Sequence, residues 1–276
     1  MHETLAKLRE GLHISASSLK SFLTCPWKFK LQYVEGAQPE FRASALILGK
    51  AVHEAIAVYH RSVQTGQAVD AVKLTSQYDE AFTRELQGEI PVEFKDKESA
   101  ETLRETGKNL VSLYQRESQL QKILAVEQPF CAELVDPRSG ELLEPTLIGV
   151  FDLVEEDDEG TVSVVEIKTA SKRWSAGQVN LDLQGSLYAE AVAQAGLVEG
   201  DQEALIRYEF LIKNKTPVLD RQYAVRRPGD RERARLIAVD CLKAIEHGSF
   251  FRNPGVDGAG QSLVFLVTCD LKHVTI

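Results

Sequence analysis

Cysteine is scarce and scattered in this chain. Cys25, Cys131, Cys241 and Cys269 are the four present in 276 residues, and no Cys-x-x-Cys pair occurs. That spacing argues against a zinc ribbon and against a disulfide-stapled scaffold. No apolar run approaches the roughly 18 residues of a membrane span. The opening Met-His-Glu-Thr-Leu-Ala-Lys-Leu-Arg-Glu has no apolar core of a signal peptide, so a cytoplasmic location is expected. No Gly-x-x-x-x-Gly-Lys-Ser/Thr loop is present, which excludes ATP binding of that kind. Net positive charge is also lacking: the sum is −9. A protein that coats duplex DNA by charge alone is therefore disfavoured, while a nuclease with one positive groove is not. Internal repeats and low-complexity segments are absent. What remains is an ordinary globular composition, 43% hydrophobic and 26% charged, long enough for a sizeable core.

The most informative stretch spans residues 147–169. Residues 147–154 are apolar and β-branched around a single Asp152, residues 155–160 are a carboxylate-rich turn closed by Gly160, and residues 161–169 are again β-rich. This reads as a β-hairpin. Side chains alternate along a strand, so Glu166 and Lys168 share a side. Charges on a mostly buried strand are costly unless they are paired, bound to metal or catalytic. A hairpin with one exposed, charge-paired face would look the same on these residues alone.

Residues 1–13 read as a short helix or a frayed start. Ser15 is a plausible N-cap for a helix carrying Leu19, Phe22 and Leu23, and Pro26 can open a second segment. Trp27, Phe29, Leu31 and Tyr33 interleave with Lys28 and Lys30, a pattern open to two readings: stacking on a nucleic-acid strand, or helix core with solvated lysines. Residues 43–62 form a long helix with Gly49 inside it, where close backbone packing is expected, and His53 one turn on. Helices are expected over 69–90 and 97–121, then a strand over 123–134 that holds Glu127 and, at Pro129, an edge or bulge signal. After a polar loop over 169–179, a helix over 181–195 places Gln184 and Tyr188 on one face. Strands over 205–213 and 217–225 and a helix over 231–247 follow. The tail has a glycine-rich loop and a final apolar run over 262–268. Between 205 and 235 nine Lys or Arg face four acids. That stripe suits a phosphate-bearing partner or a solvated face. Helices preceding strands suggest one α/β domain over 1–276, with 1–121 mainly helical and 122–250 bearing the sheet.

His53, Asp152, Glu166, Lys168, Gln184 and Tyr188 are the unusual polar residues of this pattern. Two carboxylates and a histidine can hold a hard divalent cation such as Mg²⁺ or Mn²⁺. Such a cation lowers the pKa of water and screens a phosphate, and a nearby lysine can stabilise developing negative charge.

Five segments in order resemble the PD-(D/E)xK nuclease superfamily in its RecB-like exonuclease branch, which also contains the CRISPR-associated adaptation nucleases. They are residues 15–33 with the Cys25-Pro26 step, Gly49-x-x-x-His53, Gly149-x-x-Asp152, Glu166-Ile167-Lys168-Thr169 and Gln184-x-x-x-Tyr188. The resemblance implies a restriction-endonuclease-like core, a mixed central β-sheet flanked by helices, with a helical N-terminal region. It implies that His53, Asp152, Glu166 and the Ile167 carbonyl bind Mg²⁺ or Mn²⁺. Lys168 would be the catalytic lysine, acting with Asp152 and Glu166, and Gln184 and Tyr188 would contact the DNA strand. Glu127 is a further candidate acid. Many relatives hold a [4Fe–4S] cluster on one N-terminal and three C-terminal cysteines; here Cys25 and Cys269 match and the other two ligands do not. No iron–sulfur cluster is expected, and proximity of Cys25 to Cys269 would mark a lost one. The implied activity is a metal-dependent DNA exonuclease on single strands or ends, working alone or with a helicase or recombination partner on another chain. The rival is a non-catalytic DNA-binding or helicase-partner module of the same fold.

Overall fold

The computed structural model describes residues 3–67, 70–199 and 202–253 of the 276. Its elements begin with α1 (Glu3–Leu8), β1 (His13–Ile14), α2 (Ala16–Thr24) and α3 (Pro26–Phe29), which continues as a π-helical turn over Lys30–Val34. Next come β2 (Arg42–Ala43), α4 (Ser44–Gln64), α5 (Ala71–Leu86), β3 (Val92–Glu93) and α6 (Ala100–Glu117). The remainder is β4 (Lys122–Ala132), β5 (Thr146–Glu156), β6 (Val162–Ala170), α7 (Ala176–Leu181), α8 (Leu183–Gln194), β7 (Ala204–Ile212), β8 (Val218–Arg226) and α9 (Pro228–Glu246).

The expected hairpin is β5 and β6, paired antiparallel. β4 pairs antiparallel on the other edge of β5, and the short β1 pairs parallel with its start. β7 lies parallel to β6, and β8 returns antiparallel along β7. The parallel β6–β7 step needs a crossover, which α7 and α8 supply. The result is a six-stranded mixed sheet. Pro129 sits on β4, whose ladder partner is β5 alone and whose register slips between Ile123 and Ala125. A proline and a bulge are both at home on such an edge strand.

Helices cover both faces of the sheet. Leu19 and Phe22 of α2, Leu187 and Val192 of α8, and Ala238 and Leu242 of α9 pack with Phe151, Ile206 and Phe210 in one core. Ile47 and Val52 of α4, Tyr78 and Phe82 of α5, and Leu110 and Tyr114 of α6 pack with Leu153, Val165, Ile167 and Leu211 in the other. Successive residues Val164 and Val165 fall in different cores, which is the strand alternation at work.

Local signals explain most boundaries. Ser15 caps α2 through a box with Ser18, and Pro26 opens α3. Two expectations need correction. The loop over 169–179 contains the start of α7, capped by a box of Ser175 and Gln178. The helix expected from 181 begins instead at Leu183, because the Asp182 side chain accepts from Gly185 N–H and breaks the chain into two helices. The apolar run 262–268 and Cys269 lie outside the described residues. Among the described residues, no helix is long and apolar enough to cross a membrane.

Candidate active site

The β5–β6 ladder stops at Leu153↔Val165. β1 takes the same edge of β5 only at Thr146 and Leu147. Between these points the two strands diverge, and Asp152 sits in the fork. Its Oδ2 accepts the Ile167 N–H at 2.8 Å, so a side chain takes a ladder donor where the ladder ends. The fork is a gap in the sheet that side chains of both helical layers reach. His53 comes from α4 on one face, with Nδ1 3.4 Å from Asp152 Oδ1. Gln184 and Tyr188 come from α8 on the other. Gly49 allows α4 its position: a Cβ there would meet Thr169 Oγ1 of β6 at 3.3 Å.

Glu127 enters from β4. The pairs Val126↔Leu153 and Gln128↔Phe151 put it opposite Asp152. Its φ is +46°, a left-handed backbone rarely tolerated by a side-chain-bearing residue within a strand. Ligand atoms of His53, Glu127 and Asp152 all lie within 4.8 Å of one another.

Glu166 faces the other way. Its Oε1 accepts from Lys168 Nζ at 2.8 Å and from Gln184 Nε2 at 2.8 Å. Its Oε2 is buried with no hydrogen-bond partner. Lys168 Nζ also donates to Gln184 Oε1 at 3.2 Å, and Gln184 Nε2 to Tyr188 Oη at 3.0 Å. A lysine only donates, so the Gln184 amide has one orientation that serves every partner. Tyr188 closes the network by donating to Val150 O at 3.0 Å. The Tyr188 ring is boxed edge-on by Phe130 and Phe151, each 5.4 Å away, and these two stack at 4.4 Å. Phe130 lies over Gly149, where a Cβ would come within 2.5 Å of the ring. The spacing Gly149-x-x-Asp152 thus joins a packing requirement to the acid. Trp174 was not singled out by the sequence, yet its ring lies 5.3 Å from Lys168 Nζ and packs on Tyr208 and Phe210.

Crowded carboxylates raise one another. Burial, then the Asp152 charge, lifts Glu127 to about 7, and the same two causes lift Glu166 to about 7. Burial works against the His53 imidazolium, but Asp152, Glu166 and Glu127 outweigh it and raise the group to about 9. Burial likewise opposes the Lys168 charge, and contact with Glu166 overcomes it, so this lysine is held in its charged form.

An open cleft leads to the fork. Asp152, Gln184 and Tyr188 form part of its lining, with Arg9, Lys20, Tyr33 and Trp174 further along. The aromatic patch divides accordingly. Phe29 is buried against Phe22 and Phe250 as core, whereas Tyr33 stacks on Phe29 and is 43% exposed to the cleft. Much of the basic stretch between 205 and 235 is paired with acids. Arg207 pairs with Glu155 and Glu209, Arg221 with Glu209, Arg227 with Glu203, Arg233 with Asp230 and Arg235 with Glu190. Arg226 is buried and donates to Val179 O. The linear count could not see the pairings with Glu155, Glu190 and Glu203, which lie outside that stretch.

The model of the PD-(D/E)XK nuclease superfamily matches residues 13–270. The chain belongs to that superfamily. No curated protein matches it in sequence. Among solved structures, a protein of Eubacterium rectale named "Putative exonuclease" aligns over 91% of this chain and 86% of its own, with a TM-score of 0.52 and 12% identity. Another, named SSO0001, aligns over 79% of this chain and 84% of its own, with a TM-score of 0.34 and 14% identity. At 12% identity the first likeness speaks for the fold alone.

Nucleases of this superfamily use divalent metals. The fork suits one on its own chemistry. Glu127, Asp152 and Glu166 bring three carboxylates against one lysine, and Glu166 keeps a buried oxygen without a partner. Oxygen donors with one imidazole match Mg²⁺ or Mn²⁺. Without a cation, protons on Glu127, Glu166 and His53 carry the compensation.

Proposed function

We propose that this chain is a Mg²⁺- or Mn²⁺-dependent deoxyribonuclease of the RecB-like branch, acting as an exonuclease on single-stranded or end-bearing DNA. The observation that carries the reading is the fork itself: three carboxylates and a charged lysine gather around Asp152, which lines an open cleft with Gln184 and Tyr188. His53, Asp152, Glu166 and the main chain of Ile167 are the groups that would hold the metal. When bound, the metal lowers the pKa of water and polarises the phosphate. Hydrolysis adds the oxygen of one water to phosphorus, breaks one bridging P–O bond and delivers a proton to the departing oxygen. Lys168 keeps its positive charge beside Glu166, where it can orient the attacking water and stabilise charge building on the phosphate oxygens. Gln184 bonds both Lys168 and Glu166, and Tyr188 fixes Gln184. These contacts hold the acid and the lysine in one geometry before DNA arrives. Tyr33 and Trp174 offer ring faces along the approach for unstacked bases.

The test uses labelled linear single-stranded, linear duplex and circular single-stranded DNA with Mg²⁺, Mn²⁺ or EDTA. Loss of linear single strands with metal, and sparing of circles, is the expected result. Equal cutting of circles would remove the exonuclease mode. No cutting by well-folded protein with any divalent ion would remove the nuclease and favour a binding role.

A further inference from the structure

We infer that β8 is a docking strand for a second copy of this chain: two β8 strands pair antiparallel about a two-fold axis at Gln222 and join two sheets into one. The inference is independent of the nuclease reading, because β8 lies beyond β6 and β7 from the fork.

The sheet has two long edge strands, and they are guarded unequally. An edge strand offers a row of unpaired N–H and C=O groups, which natural sheets protect with proline, lysine, bulges or local twist. β4 is guarded in each of these ways. Pro129 removes a donor, Lys122 stands exposed at the start, the register slips between Ile123 and Ala125, and Glu127 takes left-handed backbone at φ +46°. β8 has none of these devices. Val218–Arg226 holds no proline, lysine or glycine. It pairs with β7 one to one from Ala204↔Arg226 to Ile212↔Val218 without a slip. Among the described residues, no strand pairs with its outer side. In an antiparallel ladder alternate residues turn both backbone groups to the same neighbour, so about half of β8 directs its N–H and C=O outward.

Side chains on this edge are apolar where solvent meets them. Tyr223 and Val225 share one face and are 53% and 45% exposed; Val218, on the other face, is 43% exposed. The charges of β8 are answered within the chain: Arg221 by Glu209, Asp220 by Arg173 and Gln222, and Arg226 by Val179 O. A second copy is the partner this pattern fits. Antiparallel pairing centred on Gln222 sets Leu219 against Val225, Arg221 against Tyr223 and Asp220 against Ala224, each twice by symmetry. No like charges meet, and an aliphatic pair and an arginine beside a tyrosine ring are favourable across strands. In-register parallel pairing would instead oppose Asp220 to Asp220, Arg221 to Arg221 and Arg226 to Arg226. Charge therefore selects the closed two-fold dimer over an open stack.

The experiment follows the full chain by sedimentation velocity and hydrogen–deuterium exchange from about 1 to 200 µM, the range suited to a small interface. Wild-type protein is expected to pass from monomer to dimer. The outward amides of β8 should gain about tenfold protection or more on the way, while those of β4 stay unchanged. Tyr223→Lys, at an exposed position, should raise the dimer dissociation constant about tenfold or more and leave melting unaltered. Should it fold poorly, the concentration dependence of β8 exchange in wild type decides the question. Wild type that stays monomeric across the range would overturn the inference. So would a dimer whose β8 amides exchange as fast as in the monomer, or a dimer of unchanged affinity in well-folded Tyr223→Lys. Protection of β8 already present in the monomer would place a segment of the same chain on this edge and would overturn it too. None of these measurements uses DNA or metal, so the nuclease reading stands or falls apart from them.

Discussion

Asp152 and Glu155 lie three residues apart on β5, and each belongs to a charged cluster. Around Glu155 the charges match. Arg207 reaches Glu155 Oε2 at 2.5 Å and Glu209 Oε1 at 3.1 Å, and Arg221 reaches the same Glu209 oxygen at 3.0 Å. Two acids face two arginines, with Glu155, Arg207 and Glu209 buried. Around Asp152 three acids face Lys168 and His53, and Asp152 lines an open cleft. Glu155 Oε1 and Glu209 Oε2 are buried without hydrogen-bond partners, as is Glu166 Oε2. An orphaned oxygen therefore does not by itself separate a structural cluster from a functional one. Charge balance and access do. The balanced cluster ties β5, β7, β8 and, through an Arg221 bond to Glu117 O, the end of α6. The unbalanced one has the donor set for a divalent cation.

The comparison breaks most visibly where one partner is removed. Arg207→Met leaves two buried carboxylates with a single arginine and should cost about 3–5 kcal/mol in urea unfolding. Cleavage per folded molecule should stay near wild type. Lys168→Ala should do the opposite: a loss of about a thousandfold or more in cleavage, roughly 4 kcal/mol of barrier, with melting shifted by no more than a few degrees. Retained cleavage by purified Lys168→Ala would dismiss its assigned role.

Charge imbalance also bears on stability. Asn at 152 can keep the bond from Ile167 N–H while removing the charge that lifts Glu127 and Glu166. Against that relief stands the loss of the charge that holds the His53 imidazolium, so Asp152→Asn should unfold in EDTA within about 1 kcal/mol of wild type. Added Mn²⁺ should stabilise wild type and leave the variant unchanged. A loss of several kcal/mol in Asp152→Asn would mean that the acid serves packing.

The two regions should also respond to pH with opposite signs. Glu127 and Glu166 have folded values raised to about 7, so the folded state binds more protons than the unfolded one between about 4.5 and 7. Their contribution falls as pH rises through that window in EDTA, and metal should abolish the loss. His60, on α4 beside Arg207, is lowered to about 4 by burial and then by the arginine. There the unfolded state binds the extra proton, so stability falls as pH drops from about 6.5 to 4. Melting curves of wild type and His60→Leu across pH 4.5–8, with and without metal, separate the two slopes.

The smallest expected effect concerns Trp174. Its ring against Lys168 contributes about 0.5–2 kcal/mol to holding the ammonium. Trp174→Leu should lower kcat several-fold with a smaller change in KM, and Trp174→Phe should restore most of it. Equal loss in both variants would make the residue a packing element only.

How much of this could be read from the chain follows the range of each signal. Alternation around Asp152, Glu166 and Lys168 revealed the hairpin because period-2 patterning is local. Ser15 and Pro26 marked helix starts for the same reason. Asp182 went unnoticed because apolar Leu181 and Leu183 surround it and suggest one continuous helix; its N-cap role, and the Ser175–Gln178 box, were the available signals. Divergence of β5 and β6 has no local mark, so the approach of Glu127 and Glu166 to Asp152 from flanking strands was not visible. The pairing of arginines between 205 and 235 was not legible because Glu155, Glu190 and Glu203 lie outside that stretch. Burial of long basic side chains depends on pairing that a linear count cannot show.

The central claim is that uncompensated carboxylates in the β5–β6 fork make a metal-dependent nuclease. Cleavage of end-labelled single-stranded DNA by equally folded wild type and Asp152→Asn, each with Mn²⁺ and with EDTA, tests it most directly. Cleavage by wild type with Mn²⁺, and under no other condition, is the predicted result. Cleavage in EDTA, or by Asp152→Asn, would contradict it.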